Sequence, residues 1–207
     1  MSEKLKNLIE EIEKLEKTLE EELHHVKDDA ILSIKDGKIS FTKDILKIHL
    51  SLRKQILKTI FESNFLFVLS SPIIYSMVIP AFVLDVFCCF FQAICFPIYH
   101  IPKVSRKDFI RMDRHKLAYL NGIEKFNCDF CAYFNGTLAF AREIGSRTEQ
   151  YWCPIRHALA TKGTHARYHR FLEFGDAEAY HAKLLQLRNN LKTEKKTPDE
   201  KSVSKTN

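Results

Sequence analysis

Between Thr59 and Pro102 the chain has no lysine or arginine, and from Asn64 to Pro102 its only formal charge is Asp85. That absence excludes a solvated surface element, because nearly 40 residues in a row would present apolar side chains to water. The first thirty residues lack the reverse feature. Met1 to Lys27 is charged and helical in pattern with no apolar core, which excludes a cleavable signal peptide. The apolar run therefore reads as a retained anchor. A third absence concerns nucleic acid. Net charge is +6, but the basic residues flank the apolar run, and no basic motif interleaved with base-stacking aromatics occurs. No nucleic-acid partner is expected. From Lys192 to Asn207 large apolar residues are missing altogether, and a disordered tail is expected.

What is present is mostly helical in pattern. At 207 residues there is room for one compact domain with appendages. In the first thirty residues, Leu5, Leu8, Ile12, Leu15 and Leu19 follow alternating spacings of three and four, a heptad seam, with Glu10–Lys14 and Glu13–Lys17 as favourably ordered i,i+4 pairs. This predicts an amphipathic helix, either docked on its own domain or used for self-association or a protein partner. Residues 31–43 hold Asp36-Gly37 between two short β-prone runs, which predicts a small hairpin or extended loop. A second helix starts near Thr42 or Asp44, carries the stripe Ile45, Ile48, Leu52, Ile56 and Ile60, with His49 beside it, and leads into the apolar segment, so that 44–102 form one region.

The apolar segment, Phe65 to Ile101, has about twice the roughly 20 residues that one crossing needs. Pro80 near its middle predicts a turn between two short helices, Asn64–Ile79 and Ala81–Tyr99. Basic runs on both flanks, Lys43 to Lys58 and Lys103 to Lys116, favour keeping both on one side of the bilayer. A helical hairpin does that whether it crosses or only dips in, whereas a single tilted span would translocate one basic flank. Asp85 falls within this segment with Gln92 seven residues on. It reads either as a group near the hairpin tip at headgroup level or as a proton- or ion-relay carboxylate. Cys88, Cys89 and Cys95 read as small packing residues.

Residues 103–191 are predicted to form a helical domain on the cytoplasmic side, with helices over Asp113–Glu124, Cys128–Ser146 and Ala177–Asn190. Two motifs here carry chemistry. Cys128-x2-Cys131 and Cys153-x3-His157 are two half-sites of the type Zn²⁺ takes in closed tetrahedral sites, and two antiparallel helices could close such a cage. An iron–sulfur cluster, a redox thiol pair and inert packing are the alternatives, with His165 or His169 able to replace His157 as fourth ligand; His181 reads as a surface or core residue. Cys131 is followed by Ala132, so c-type haem attachment is not indicated. The second motif is Asp113-Arg114-His115 with Glu124, Arg142, Glu143, Arg147 and Glu149, an ion-pair network or an anion site beneath the membrane; His115, Asp113, Glu143 and Arg147 are its acid–base candidates.

The runs Asp113-Arg-His-Lys-Leu-Ala-Tyr-Leu-Asn121, Cys128-x-x-Cys131, Ala141-Arg-Glu-Ile144 and Arg147-Thr-Glu-Gln-Tyr-Trp-Cys-Pro-Ile-Arg-His-Ala158 resemble a family of uncharacterised bacterial membrane proteins over about Ser70 to Tyr180. The resemblance implies a membrane protein and no particular activity. Together these observations predict an all-α protein of the bacterial cytoplasmic (inner) membrane, with N- and C-termini in the cytoplasm and the lipid bilayer as its partner. The leading function is a metal-stabilised scaffold or interaction module. The alternative is an enzyme acting on lipid-linked or amphiphilic substrates, and ion movement through Asp85 ranks third because two short helices enclose no pathway.

Overall fold

The computed structural model describes residues 65–193 continuously, together with 43–53, strand residues 32–35 and 38–41, and scattered helical positions between 11 and 22. The chain divides into two compact units, Met1–Gln55 with Lys116–Asn121, and Ile56–His115 with Gly122–Asn207. The described secondary structure is mostly helical, as expected, with one two-stranded exception.

In the first unit, β1 (Leu32–Lys35) pairs antiparallel with β2 (Lys38–Phe41), Leu32 opposite Phe41 and Lys35 opposite Lys38. The antiparallel pairing agrees with the hairpin expected over 31–43, and Asp36-Gly37 itself lies outside the described residues. Helix α1 (Lys43–Leu52) follows, and the ring of His49 meets Tyr119 edge-on at 5.0 Å. Among the described positions of the N-terminal segment, an exposed Lys17–Glu21 pair at 3.9 Å adds little stability. Leu5, Leu8, Ile12, Glu10 and Glu13, the link from α1 to the apolar segment, and the tail beyond 193 lie outside the described residues.

The second unit is built on the apolar run. Helix α2 (Phe65–Ser76) is followed by α3 (Val78–Tyr99), with only Met77 between them. Met77 keeps helical dihedrals, φ -63° and ψ -14°, so the chain continues forward and the expected reversal at Pro80 does not occur. A helical hairpin needs a non-helical connection of two or more residues. Pro80 is the third residue of α3, where its missing N–H removes little from the helical ladder. The result is a single apolar helix of 35 residues, long and apolar enough to cross a membrane, with only 11% of its most apolar stretch buried in the protein. It stops at His100, which adopts the left-handed conformation (φ 57°), while the N–H of Ile101 donates to Phe96 O at 2.8 Å. That is a Schellman ending, followed by Pro102, which cannot extend the helix.

From Ile101 the chain returns along its own path, through the short α4 (Arg106–Phe109) and a 3₁₀ turn at Arg114–Lys116. The helix expected over Asp113–Glu124 does not form as one element. A long helix, α5 (Gly122–Trp152), then runs parallel to α2 and α3. Tyr75 meets Asn127, Phe126 and Phe130 near one end, and Tyr99 meets Tyr151 and Trp152 near the other, so residue numbers rise together along both helices. The stripe that α3 turns inward, Ala81, Asp85, Cys88, Gln92, Phe96 and Tyr99, repeats every three or four residues as a packing seam does. Finally α6 (Ala177–Thr193) lies against the C-terminal half of α5, where Gln150 donates to Leu187 O and Arg188 to Tyr151 O. Phe96, Ile101, Val104, Phe140, Ile144 and Leu191 form the core where these elements meet. Each such fully buried side chain contributes about 1.5–3 kcal/mol.

Candidate functional site

Both polar residues of the apolar stripe serve the returning chain. Asp85 accepts from Arg106 Nε at 2.8 and 3.0 Å and from Arg106 Nη2 at 2.6 Å, and the hydroxyl of Tyr133 on α5 donates to it at 3.0 Å. The thiol of Cys89, one helical turn on, lies 3.7 Å from the same carboxylate. Seven residues after Asp85, Gln92 Oε1 accepts the backbone N–H of Val104 at 3.0 Å. Asp85 is therefore neither at a hairpin tip nor an unpaired relay group. It is a buried anchor at the middle of the helix, satisfied on three sides. Close packing reinforces the join at Gly136, where a Cβ would stand 2.7 Å from Phe109 O and 3.0 Å from Ile110 Cα.

The second polar cluster fastens the loop 153–176 to α5. Glu143 Oε1 accepts from Arg147 Nε at 2.7 Å and Arg167 Nη2 at 2.9 Å. Burial pushes the Glu143 carboxyl up, but Arg147 and Arg167 outweigh it and hold it below the usual glutamate range. Arg167 also donates to Gln150, Arg147 to the carbonyl of Pro102, and Ser146 to Glu143 Oε2. Around this pair, His165 meets Glu149 at 2.9 Å, Arg142 holds the carbonyls of Gly163 and Thr164, and Arg156 bridges Glu173 and His169 O. Glu143 with Arg147 was legible as an i,i+4 pair. Arg167 was not, because it arrives from a loop 24 residues on.

The sequence candidates do not converge on one acid–base site. His115 Nδ1 lies 3.0 Å from Asp129 Oδ1, a carboxylate the sequence reading missed. Asp129 and Glu143 are both on α5, about 21 Å apart along its axis. Asp113 is exposed beside His115, again at the far end from Glu143 and Arg147.

The expected metal cage is not assembled either. Cys128 and Cys131 do share a helix face, but Cys153 follows the last residue of the same unbroken helix, roughly 30 Å along its axis from Cys131. The cage needed two antiparallel elements, and one straight helix supplies both half-sites. His157 is non-helical, its ring stacked on Tyr168 and its N–H donated to the Tyr168 hydroxyl at 2.6 Å. His165 is committed to Glu149. Among the described residues, no group of three or more His, Cys, Asp or Glu side chains could hold a metal ion. The loop 153–176 is held to α5 by contacts that include the Arg167–Glu143 and His165–Glu149 pairs. Comparison with protein-family models, curated proteins and solved structures finds no match.

Proposed function

We propose that this chain is a monotopic membrane protein, an interaction platform held at the bilayer surface by an apolar helix lying in the membrane plane. One observation carries the reading. The charged helix α4 sits beside the midpoint of the apolar helix, with Arg106 on Asp85 and with Arg106 and Lys107 exposed. An upright helix would put those charges at bilayer depth, where each is costly. In the plane of the surface they stay at headgroup level. Length agrees: 35 residues extend about 52 Å, against a hydrocarbon core of about 30 Å. Phe82, Phe87, Phe90, Ile94 and Ile98 then face lipid, while α5 and the ion-paired loop face water. The basic content of the aqueous side fits the cytoplasmic face, and the resemblance to bacterial proteins makes that face the inner membrane's.

A platform rather than a catalyst is supported by what the acids and bases do. Glu143, Arg147, Arg167, Glu149 and His165 are used in holding the loop, and His115 lies far from them. Single cysteines at Lys103, Lys107 and Arg114, with native cysteines replaced, test the orientation. In sealed vesicles a membrane-impermeant maleimide should label all three from the same side. Labelling of Lys103→Cys and Arg114→Cys from opposite sides would establish a spanning helix and end the monotopic reading.

A further inference from the structure

The returning segment is strongly basic on its outer edge. Between Lys103 and Arg114 there are five basic residues against Asp108 and Asp113, and only Arg106 is spent on an ion pair among the described residues. Its inward positions, Ile101, Val104 and Ile110, are buried, whereas Lys103, Lys107, Arg111 and Arg114 are exposed. The four exposed cations thus alternate along the segment with its buried apolar positions. The Gln92–Val104 and Asp85–Arg106 bonds fix the segment directly against α3. Exposed cations therefore lie on the segment that packs against Asp85 and Gln92, on a helix whose other side is exposed and apolar.

We infer that this basic rim binds the headgroups of anionic phospholipids, so that the protein selects negatively charged membranes. The inference rests on the in-plane placement proposed above. A helix embedded to its equator leaves its edge at phosphate level, and Lys and Arg there gain from a negative surface potential that decays within about 10 Å. The apolar face gives attachment and the rim gives lipid preference.

Flotation of the full-length purified protein with two vesicle types separates the two ideas. One type is pure phosphatidylcholine; the other replaces one lipid in three with phosphatidylglycerol. Binding to both is expected, tighter to the anionic vesicles, with the difference shrinking as salt rises. Each basic residue near the surface is worth about a five-fold gain. A variant with Lys103, Lys107, Arg111 and Arg114 all changed to Gln should therefore lose on the order of several hundred-fold of the preference while still binding phosphatidylcholine. The charge-preserving Lys103→Arg, Lys107→Arg variant should keep the preference. Equal wild-type binding to both vesicles overturns the rim but leaves the anchor. Binding to neither overturns the anchor itself. Tighter binding to short duplex DNA than to anionic vesicles would assign the rim to nucleic acid and overturn the lipid proposal.

Discussion

Asp85 and Arg106 form one ion pair in two environments, the carboxylate side chain 7% exposed and the guanidinium 42%. Removing each partner therefore has a different consequence. Arg106→Met leaves a buried carboxylate with only Tyr133 and the weak Cys89 donor, and should cost about 3–5 kcal/mol, the range for breaking a buried pair. Asp85→Asn leaves a guanidinium that can turn to water, and should cost less than half as much. Thermal unfolding in detergent ranks the two, and equal losses would contradict the burial that separates them. That Asp85 needed a partner was legible from its isolation among apolar residues. Which residue supplied it was not, since Arg106 lies 21 positions away and reaches Asp85 only because the chain doubles back.

At the scale of elements, two glycines of α5 report on that doubling back. Gly136 is covered by the backbone of Phe109 and Ile110, which cannot move aside as a side chain can, whereas Gly145 has nothing within 4 Å of its would-be Cβ. Gly136→Ala should destabilise by about 1–3 kcal/mol through overpacking. Gly145→Ala should stabilise by about 0.5–1 kcal/mol, since it removes a helix-interior glycine without a clash. Melting temperatures of the two variants should move in opposite directions; a shared direction would mean that the return segment does not lie against Gly136. The sequence marked the core of α5 at Cys128–Ser146 and nearly all of α6 by their periodicity. It expected a reversal at Pro80 that does not occur: Pro80 is the third residue of α3, where its missing N–H removes little, and Pro72 and Pro97 likewise lie inside helices.

For the whole molecule, two phenylalanines of the parallel helices differ sharply in burial. Phe87 is exposed and Phe140 is completely buried. Phe87→Lys should leave the melting temperature in detergent nearly unchanged while lowering vesicle binding about a hundred-fold, from the cost of a cation in an apolar layer. Phe140→Ala should do the opposite, destabilising the fold by about 3–5 kcal/mol with little direct effect on lipid contact. If Phe87→Lys unfolded the protein, that face would be packed rather than lipid-facing. Sequence by itself determined the helical class, a turn at Asp36-Gly37 between two short β-prone runs and the existence of one long apolar element, because these follow from local periodicity, turn chemistry and composition. It also paired Cys128 with Cys131 on one helix face. Only the tertiary structure decided that the apolar element runs on as one helix, that Cys153 lies far from that pair, and that Arg147 and Arg167 converge on Glu143. Those outcomes depend on whether a helix ends and on where distant segments come to rest, and a spacing pattern is the same for one long helix as for two short ones.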